Sequence, residues 1–270
     1  MGSAGLLGRV SRRLRYSSPP ASLLARASGR AVRNLASRLG SSPLGYTDAC
    51  GFERRADLKD HQELEAFLGL GRLPDLVLAA VAPGDWVIDA GANVGIVTAQ
   101  LCRRVGAGGH VWAIVPVPRN IARLTELAGR NRLSQLEVLE GGLSDSTGEA
   151  EIGLPVDGSS GWASFTKSWD IGDRFPTRTW RLDDLVAERG SPGRLSFVKI
   201  DVEGCEPRLL EGATKTLAAF RPLVMCEFND HLLRDAGSSS AELLAAFSGL
   251  GYRPAGGAPE PATLAGQVLD

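Results

Sequence analysis

Short apolar runs alternate with segments of helical periodicity along most of the 270-residue chain. After Pro118, for example, Ile121, Leu124 and Leu127 recur at the spacing of one helix face. The apolar runs predict strands over residues 86–89, 110–115, 136–140, 195–202 and 223–227, and the periodic segments predict helices over 98–105, 118–130, 182–188, 207–219 and 241–250. Strands that alternate with helices are typical of an α/β fold with a parallel sheet and right-handed crossovers.

The rest of the chain predicts a tail, a helical lead-in and one long loop. Residues 1–45 are rich in Ser, Gly and Pro and form the predicted tail, so the ordered domain is expected over 46–270. Helices are predicted over 61–70 and 75–81, a short edge strand over 149–154, and a strand or two beyond Gly251. The polar stretch 155–179 predicts a long functional loop, in which Ser159, Ser160 and Trp162 are candidates to cover a substrate. Trp162 could equally anchor the loop by burying its ring.

Composition excludes several classes of protein. A net charge of −1 argues against a general nucleic-acid binder, which usually has a strong basic excess. No run reaches the ~18 consecutive apolar residues of a membrane-spanning helix. The four cysteines form no CxxC pair and no zinc spacing, and Cys102, Cys205 and Cys226 lie in or beside apolar runs. Buried thiols in a reducing compartment are expected, which favours a cytoplasmic location.

Charge is unevenly distributed along the chain. No Asp, Glu or Lys occurs from Met1 to Thr47, whereas eight arginines do. An Arg-rich, Ser-rich and acid-free start is the composition of an organelle transit peptide. A basic segment that lies against a membrane surface, or a general preference for Arg over Lys in this chain, explains the same composition.

The sequence W-V-I-D-A-G-A-N-V-G from Trp86 to Gly95 predicts a strand that runs into a tight turn and opens a helix. Gly91 and Gly95 permit a sharp turn and the close approach of a ligand, and exposed backbone amides in such a turn suit a carboxylate or phosphate. Asp89 would hold an ammonium group or order the loop. The G-x-x-x-G spacing, with Asn93 at its centre, differs from the dinucleotide-binding fingerprint. A tight turn without a ligand is the alternative.

Charged residues also follow two other predicted strands. In F-V-K-I-D-V-E-G-C-E, Lys199, Asp201 and Glu203 share one face if the strand continues that far. Central parallel strands are usually apolar, so these charges indicate either a functional site or a structural ion-pair network. In L-V-M-C-E-F-N-D-H, Glu227 ends an apolar run, and His231 is a candidate base because its ordinary pKa lies near neutrality. A solvated loop histidine is the alternative.

These motifs in this order resemble the FkbM family of methyltransferases. The resemblance rests on D-A-G-A-N-V-G, A-I-V-P-V-P, G-L-S-D-x-x-G, R-L-D-D-L, K-I-D-V-E-G-C-E and P-L-V-M-C-E, and it covers roughly residues 50–255. It implies a Rossmann-like, seven-stranded, mostly parallel sheet with helices on both faces and a reversed last strand. It also implies S-adenosylmethionine as methyl donor and O-methylation of a hydroxyl on a small molecule, natural product or glycan.

The resemblance also implies roles for particular residues. The methionine end of the donor would lie at the turn, and the segment that contains Leu143 and Ser144 would flank its adenine. Acidic strand ends would face the acceptor, with His231 as a further candidate base. Carboxylate oxygens suit Mg²⁺ or Ca²⁺ better than zinc, so a divalent cation such as Mg²⁺ is a further candidate cofactor. The turn residues are Asp89, Gly91, Ala92, Asn93 and Gly95, and the acceptor-side acids are Asp201, Glu203 and Glu227.

The second strand departs from the family pattern. Family members usually carry a Glu there that binds both ribose hydroxyls, whereas this chain has Val115, with no acid between Ala90 and Thr125. Loss of such a charge-assisted contact costs roughly 1.5–3 kcal/mol of binding. Two alternatives stay open: a non-catalytic protein on the same scaffold, and an NADP-dependent oxidoreductase in which Arg119 meets the 2′-phosphate of NADP. The glycine spacing counts against the oxidoreductase.

Overall fold

The computed structural model describes residues 43–155, 163, 171–255 and 267–269. The strands are β1 (Leu44–Thr47), β2 (Glu53–Ala56), β3 (Trp86–Ala90), β4 (His110–Val115), β5 (Leu136–Glu140), β6 (Gly142–Leu143), β7 (Gly148–Pro155), β8 (Ile171–Trp180), β9 (Leu195–Ile200), β10 (Leu223–Cys226) and β11 (Gln267–Leu269). The helices are α1 (His61–Leu68), α2 (Asp75–Ala80), α3 (Ile96–Val105), α4 (Pro118–Asn131), α5 (Leu182–Arg189), α6 (Glu206–Gly212), α7 (Thr214–Phe220), α8 (Asp230–Asp235) and α9 (Ser240–Gly249).

One twisted sheet organises the domain, in the order β11-β10-β9-β3-β4-β5. Four of its five strand pairings are parallel, and the edge strand β11 runs antiparallel to β10. The described part of the chain therefore has six strands in this sheet, five of them parallel, rather than the seven expected. The α/β class and the reversed last strand agree with the expectation. Strand order reverses between β3 and β9, and ligands bind parallel sheets beyond the carboxyl ends of the strands at such a point.

Helices cover both faces of the sheet, and this explains why its central strands β3, β4 and β9 are almost wholly buried. All five residues of β3 are buried. Trp86, Ile88 and Ala90 face a core that includes residues of α5, α6, α7 and α9. Val87 faces the opposite core, which includes residues of α2, α3 and α4.

A separate N-terminal unit packs beside the sheet. β1 and β2 form an antiparallel hairpin, which the sequence did not predict. The hairpin and α1 enclose a small core that contains Tyr46, Leu64 and Phe67. Asp60 caps α1 by accepting a hydrogen bond from the Glu63 amide at 2.9 Å. β1 begins at Leu44, within the segment 1–45 that the sequence assigns to the tail, and the domain boundary at residue 46 stays a prediction.

Several other sequence-based expectations can be compared with the structure. The predicted loop over 155–179 is wrong from Ile171 onward, because β8 pairs with β7 along its length and with β6 at its end. Ser159, Ser160 and Trp162 lie outside the described residues. The single helix predicted over 207–219 is two helices that break at Ala213. Cys102, Cys205 and Cys226 are buried, as expected. Among the described helices, none has the length and apolar character needed to cross a bilayer.

Candidate active site

The carboxyl ends of β3, β4 and β9 open onto one cavity of about 340 Å³. The structure brings seven of the expected site residues to its lining: Gly91, Ala92, Asn93, Val115, Leu143, Asp201 and Glu203. The expected donor side and acceptor side therefore belong to the same space.

The glycine turn between β3 and α3 is shaped by close approach of the chain to itself. Gly91 has φ of +79°, and a Cβ placed on it would lie 1.8 Å from the carbonyl oxygen of Asp201. Gly95 has φ of +83°, and its Cβ would lie 2.6 Å from Leu124 Cδ2. The amides of Gly91 and Ala92 both donate to the Ile114 carbonyl at 3.1 Å. The expectation that the turn offers its amides to an anion is therefore wrong for these two groups, which join β3 to β4.

An arginine of the N-terminal hairpin supports the same turn. Arg54 of β2 is only 8% exposed. Its Nη1 donates to the Gly95 carbonyl at 3.0 Å, and its Nη2 donates to the Val94 carbonyl. Asp48 lies 3.8 Å from the same guanidinium. The hairpin thus fixes the turn from the side of α3, a role that the sequence did not reveal because β1 and β2 were not predicted.

Asp89 contacts Thr98 and Lys199 and does not line the cavity. It is fully buried, and its Oδ2 accepts a 2.6 Å hydrogen bond from Thr98 Oγ1. Its Oδ1 lies 3.6 Å from Lys199 Nζ. Of the two roles considered for Asp89, ordering the loop agrees with this geometry.

Lys199 connects the two halves of the site. Its Nζ donates to the Gly91 carbonyl at 2.8 Å and lies 3.1 Å from Asp201 Oδ2. Burial alone would lower the pKa of Lys199, but the charges of Asp201 and Asp89 outweigh it and hold that pKa above its ordinary value. Lys199 therefore stays charged and fixes Asp201 relative to the glycine turn.

Three carboxylates meet beside Lys199. Asp201, Glu203 and Glu227 each offer an oxygen, and these oxygens lie within 4.8 Å of one another. Burial, followed by the charges of Asp201 and Glu227, raises the pKa of Glu203 to about 9. Burial, followed by the charges of Asp201 and Glu206, raises the pKa of Glu227 to about 7. Glu227 Oε2 is buried without a hydrogen-bond partner. Like charges held this close favour the uptake of a proton or a cation.

The turn after β9 holds this cluster in place. β9 ends at Ile200, and Glu203 adopts φ of +53°, so the cluster does not arise from simple strand alternation. Glu206 is 2% exposed and accepts a 2.9 Å hydrogen bond from the Val202 amide. Burial raises the pKa of Glu206 to about 7. The two strand ends bring Glu227 to the cluster, because the Glu227 amide donates to the Ile200 carbonyl at 2.9 Å.

Five of the twelve expected site residues are not among those that line the cavity, and they are Asp89, Gly95, Ser144, Glu227 and His231. His231 lies on α8 with its side chain 72% exposed, and its Nε2 is 3.9 Å from Asp235 Oδ2. Asn229 caps α8 and starts the helix in a direction that leaves His231 at the surface. Ser144 is buried, its amide donates to the Trp180 carbonyl at 2.9 Å, and its Oγ donates to Asp145 at 3.0 Å. Ser144 therefore fixes the end of β6 and is not part of the cavity wall.

The position of Arg119 weakens the oxidoreductase alternative. Arg119, the residue proposed to meet a 2′-phosphate, lies 3.2 Å from Asp60 Oδ2 and donates to Glu63 Oε1 at 3.0 Å. It is not among the residues that line the cavity. Its charge is used between α4 and the N-terminal unit, so the feature that supported this alternative is absent from the described cavity wall.

One family model and several solved structures match this chain. The model of the methyltransferase FkbM domain matches residues 89–254, which is more than half of the chain. A solved methyltransferase FkbM from Methylobacillus flagellatus KT has 20% identity and a TM-score of 0.44, and covers 74% of this chain and 45% of that chain. A putative rRNA-methylase from Clostridium thermocellum has 13% identity and a TM-score of 0.45, with 72% and 89% covered. Aeropyrum pernix fibrillarin, solved with natively bound S-adenosyl-L-methionine, has 10% identity and a TM-score of 0.43, with 84% and 81% covered.

The matches differ in how much of each chain they cover. This chain spans less than half the length of the Methylobacillus protein. A search of curated proteins found no match. The family model covers the motifs from Asp89 through β10, which include the glycine turn, Lys199 and the carboxylate cluster. On that match, the chain belongs to the FkbM methyltransferase domain family.

Proposed function

We propose that this protein is an S-adenosylmethionine-dependent methyltransferase that methylates a hydroxyl oxygen of a small molecule, natural product or glycan. One observation carries the proposal. A single cavity of about 340 Å³ joins the glycine turn to the carboxylates Asp201 and Glu203. In-line methyl transfer requires such a shared space, because the protein must align two reactants end to end.

The donor side of the cavity fits the proposed cofactor. Gly91, Ala92 and Asn93 form one wall, and the lack of a Cβ at Gly91 keeps the chain close to the end of β9. Val115 and Leu143 form an apolar wall suited to a flat aromatic base. The bound donor supplies a methyl group on an electrophilic sulfur. The protein's own contribution is to hold this group in line with the acceptor and to exclude water.

The acceptor side supplies a base. An alcohol is a poor nucleophile, so its proton must be accepted as the oxygen attacks. Asp201 and Glu203 line the cavity, and Glu227 lies within 4.8 Å of both through its carboxylate oxygen. Because the pKa of Glu227 is raised to about 7, its affinity for a proton matches neutral pH. We assign proton uptake to this cluster, with Lys199 holding Asp201 in position.

The same cluster has the chemistry of a cation site. Carboxylate oxygens are the ligands that Mg²⁺ prefers, and Asp201, Glu203 and Glu227 would hold it. Burial and the neighbouring negative charges together raise the pKa of Glu203 and Glu227, and a bound cation would offset both effects. For chelator-treated protein, adding Mg²⁺ should raise the midpoint of thermal unfolding at pH 9 and have little effect at pH 5, where Glu203 and Glu227 are protonated. Equal midpoints with and without Mg²⁺ at pH 9 would mean that the cluster holds protons alone.

Transfer of a radiolabelled methyl group tests the proposed reaction. The full chain would be incubated with the labelled donor and a panel of glycan and polyketide alcohols. We expect label in an O-methyl ether, loss of transfer in Asp201→Asn, and unchanged transfer in His231→Ala, which removes the exposed histidine. Label found on nitrogen or carbon would contradict O-methylation, and loss of transfer in His231→Ala would contradict the assignment of the base.

One observation favours a second candidate, a non-catalytic protein on the methyltransferase scaffold. Val115 is 2% exposed and gives the cavity wall no hydrogen-bonding side chain at the end of β4. Calorimetry with S-adenosylhomocysteine and with NADPH distinguishes the candidates. Binding of the first supports the methyltransferase, binding of NADPH alone supports an oxidoreductase, and binding of neither supports the scaffold.

A further inference from the structure

The cavity wall at the end of β4 is apolar. Val115, Pro116 and Val117 line it and carry no hydrogen-bonding side-chain group. A nucleoside that binds there brings two neighbouring ribose hydroxyls, and burying hydroxyls without partners costs binding free energy. The polar contacts must therefore come from another element that reaches the same cavity.

Helix α1 is one such element, and Asn120 of α4 also lines the cavity, where its Nδ2 donates to Asn93 Oδ1 at 2.9 Å. Gln62 and Glu65 of α1 line the cavity together with Val115 and Val117. They are three positions apart, so they lie on the same helix face. Within the described part of the chain, the carboxylates that line the cavity are Asp201, Glu203 and Glu65. The first two belong to the acceptor-side cluster, which leaves Glu65 as the carboxylate of the donor side.

The position of α1 is fixed relative to α4, which begins directly after Val117. Glu63 is 3% exposed and accepts hydrogen bonds from Arg119 at 3.0 Å and from Arg123 at 2.9 Å. Asp60, the N-cap of α1, lies 3.2 Å from Arg119. These ion pairs join the first turn of α1 to the first two turns of α4. They leave Gln62 and Glu65 to face the cavity from a helix that is already anchored.

The Glu65 side chain is accessible to a ligand. It is 35% exposed, and the Nδ1 atom of His61 lies 3.8 Å from its Oε1. A carboxylate offers two acceptor oxygens, so it can accept hydrogen bonds from two adjacent hydroxyls at once. Hydrogen bonds to an ionised acceptor are about twice as strong as neutral ones. The neighbouring Gln62 amide can both donate to and accept from the same hydroxyls.

We propose that Glu65, assisted by Gln62, binds the ribose hydroxyls of the methyl donor in place of an acid at the end of β4. The inference rests on the proposed function. It assigns a specificity role to a helix that precedes the matched family domain, which begins at residue 89. The missing acid at Val115 is then replaced by a carboxylate from a different part of the chain.

Binding of two ligands to the full chain tests the proposal. Calorimetry would compare S-adenosylhomocysteine with an analogue whose ribose lacks both hydroxyls, for wild type, Glu65→Gln and Glu65→Leu. We expect Glu65→Leu to weaken binding of S-adenosylhomocysteine about ten-fold or more and to change binding of the analogue less than about two-fold. Glu65→Gln should show an intermediate, equally selective loss. His61→Ala serves as control, because it removes the partner of Glu65 but keeps the carboxylate, and both affinities should be unchanged.

The outcomes separate this inference from the proposed function. Failure of wild type to bind S-adenosylhomocysteine would overturn the proposed function itself. Wild-type binding with unchanged affinity in Glu65→Leu would overturn the ribose assignment alone. An equal loss for both ligands would also overturn it, because it would show that Glu65 acts on the cavity without contacting the hydroxyls.

Discussion

Replacing Gly91 with Ala should disrupt the junction between the glycine turn and the end of β9. Gly91 has φ of +79°, and the added Cβ would lie 1.8 Å from the Asp201 carbonyl oxygen. A non-glycine residue in the left-handed region costs roughly 1–2 kcal/mol. The overlap adds a second cost, because β3 and the turn after β9 must move apart, and overpacking of this kind costs typically about 1–3 kcal/mol. We therefore expect Gly91→Ala to lower the free energy of unfolding by roughly 2–5 kcal/mol.

Gly84 provides a matched control for the backbone term. It has φ of +86°, but a Cβ there would meet nothing within 4 Å. Gly84→Ala should therefore cost only the roughly 1–2 kcal/mol of the left-handed backbone. Urea unfolding followed by circular dichroism measures both variants, and calorimetry with S-adenosylhomocysteine should show weaker binding in Gly91→Ala alone. Equal unfolding midpoints for the two variants would refute the argument that close approach to Asp201 requires a glycine.

Three further outcomes follow from the charged groups of the site. Lys199→Met should lower the free energy of unfolding by about 3–5 kcal/mol, because it leaves the buried Asp89 without its cation. Lys215→Met, at an exposed position, should change the free energy of unfolding little. Similar values for both variants in urea unfolding would contradict this expectation. Since the pKa of Glu203 is raised to about 9 from 4.5, its carboxyl destabilises the fold increasingly as pH rises between those values. Glu203→Gln should therefore raise the free energy of unfolding by about 1–3 kcal/mol at pH 9 but not at pH 5, and a gain that is independent of pH would argue against a buried acid. Methyl transfer by wild type should increase with pH through about 7, where Glu227 loses its proton, and Glu227→Gln should abolish that step in the pH-rate profile; an unchanged profile would place the base elsewhere.

The central sheet was predictable because its strands are buried on both faces. A buried parallel strand is a nearly continuous apolar run, and such a run predicts β4 with the bounds that the structure shows. The glycine turn was equally evident, since a strand followed by closely spaced glycines leaves few other conformations. These features depend on local sequence, which is why periodicity and turn chemistry captured them.

Elements outside that sheet could not be predicted in the same way. β2 reads E-R-R-A, and β8 contains Gly, Pro and several charged residues, so neither has the apolar signature of a core strand. Both are stabilised by pairing with an adjacent strand in a smaller sheet. The role of Arg54 at the glycine turn depends on this tertiary arrangement and leaves no local signal.

In the candidate site too, some residues are predictable from local sequence and others depend on the tertiary structure. The acids at strand ends were found because parallel strands bring their carboxyl ends to one edge. His231 was chosen for its proximity in sequence to such an end, but the helix that starts at Asp230 turns it toward solvent. Glu65 lies in a different segment of the chain, and its helix is held beside the cavity by tertiary contacts, which include the ion pairs of Glu63 with Arg119 and Arg123, so no local pattern predicts it.

Titration of the full chain with S-adenosylhomocysteine tests the central claim most directly, since every other assignment depends on the cavity beside the glycine turn. We expect saturable binding of one ligand per chain, clearly weakened by Gly91→Ala and unaffected by Gly84→Ala. A folded wild-type protein that shows no heat of binding and no protection against thermal unfolding at millimolar ligand would contradict it.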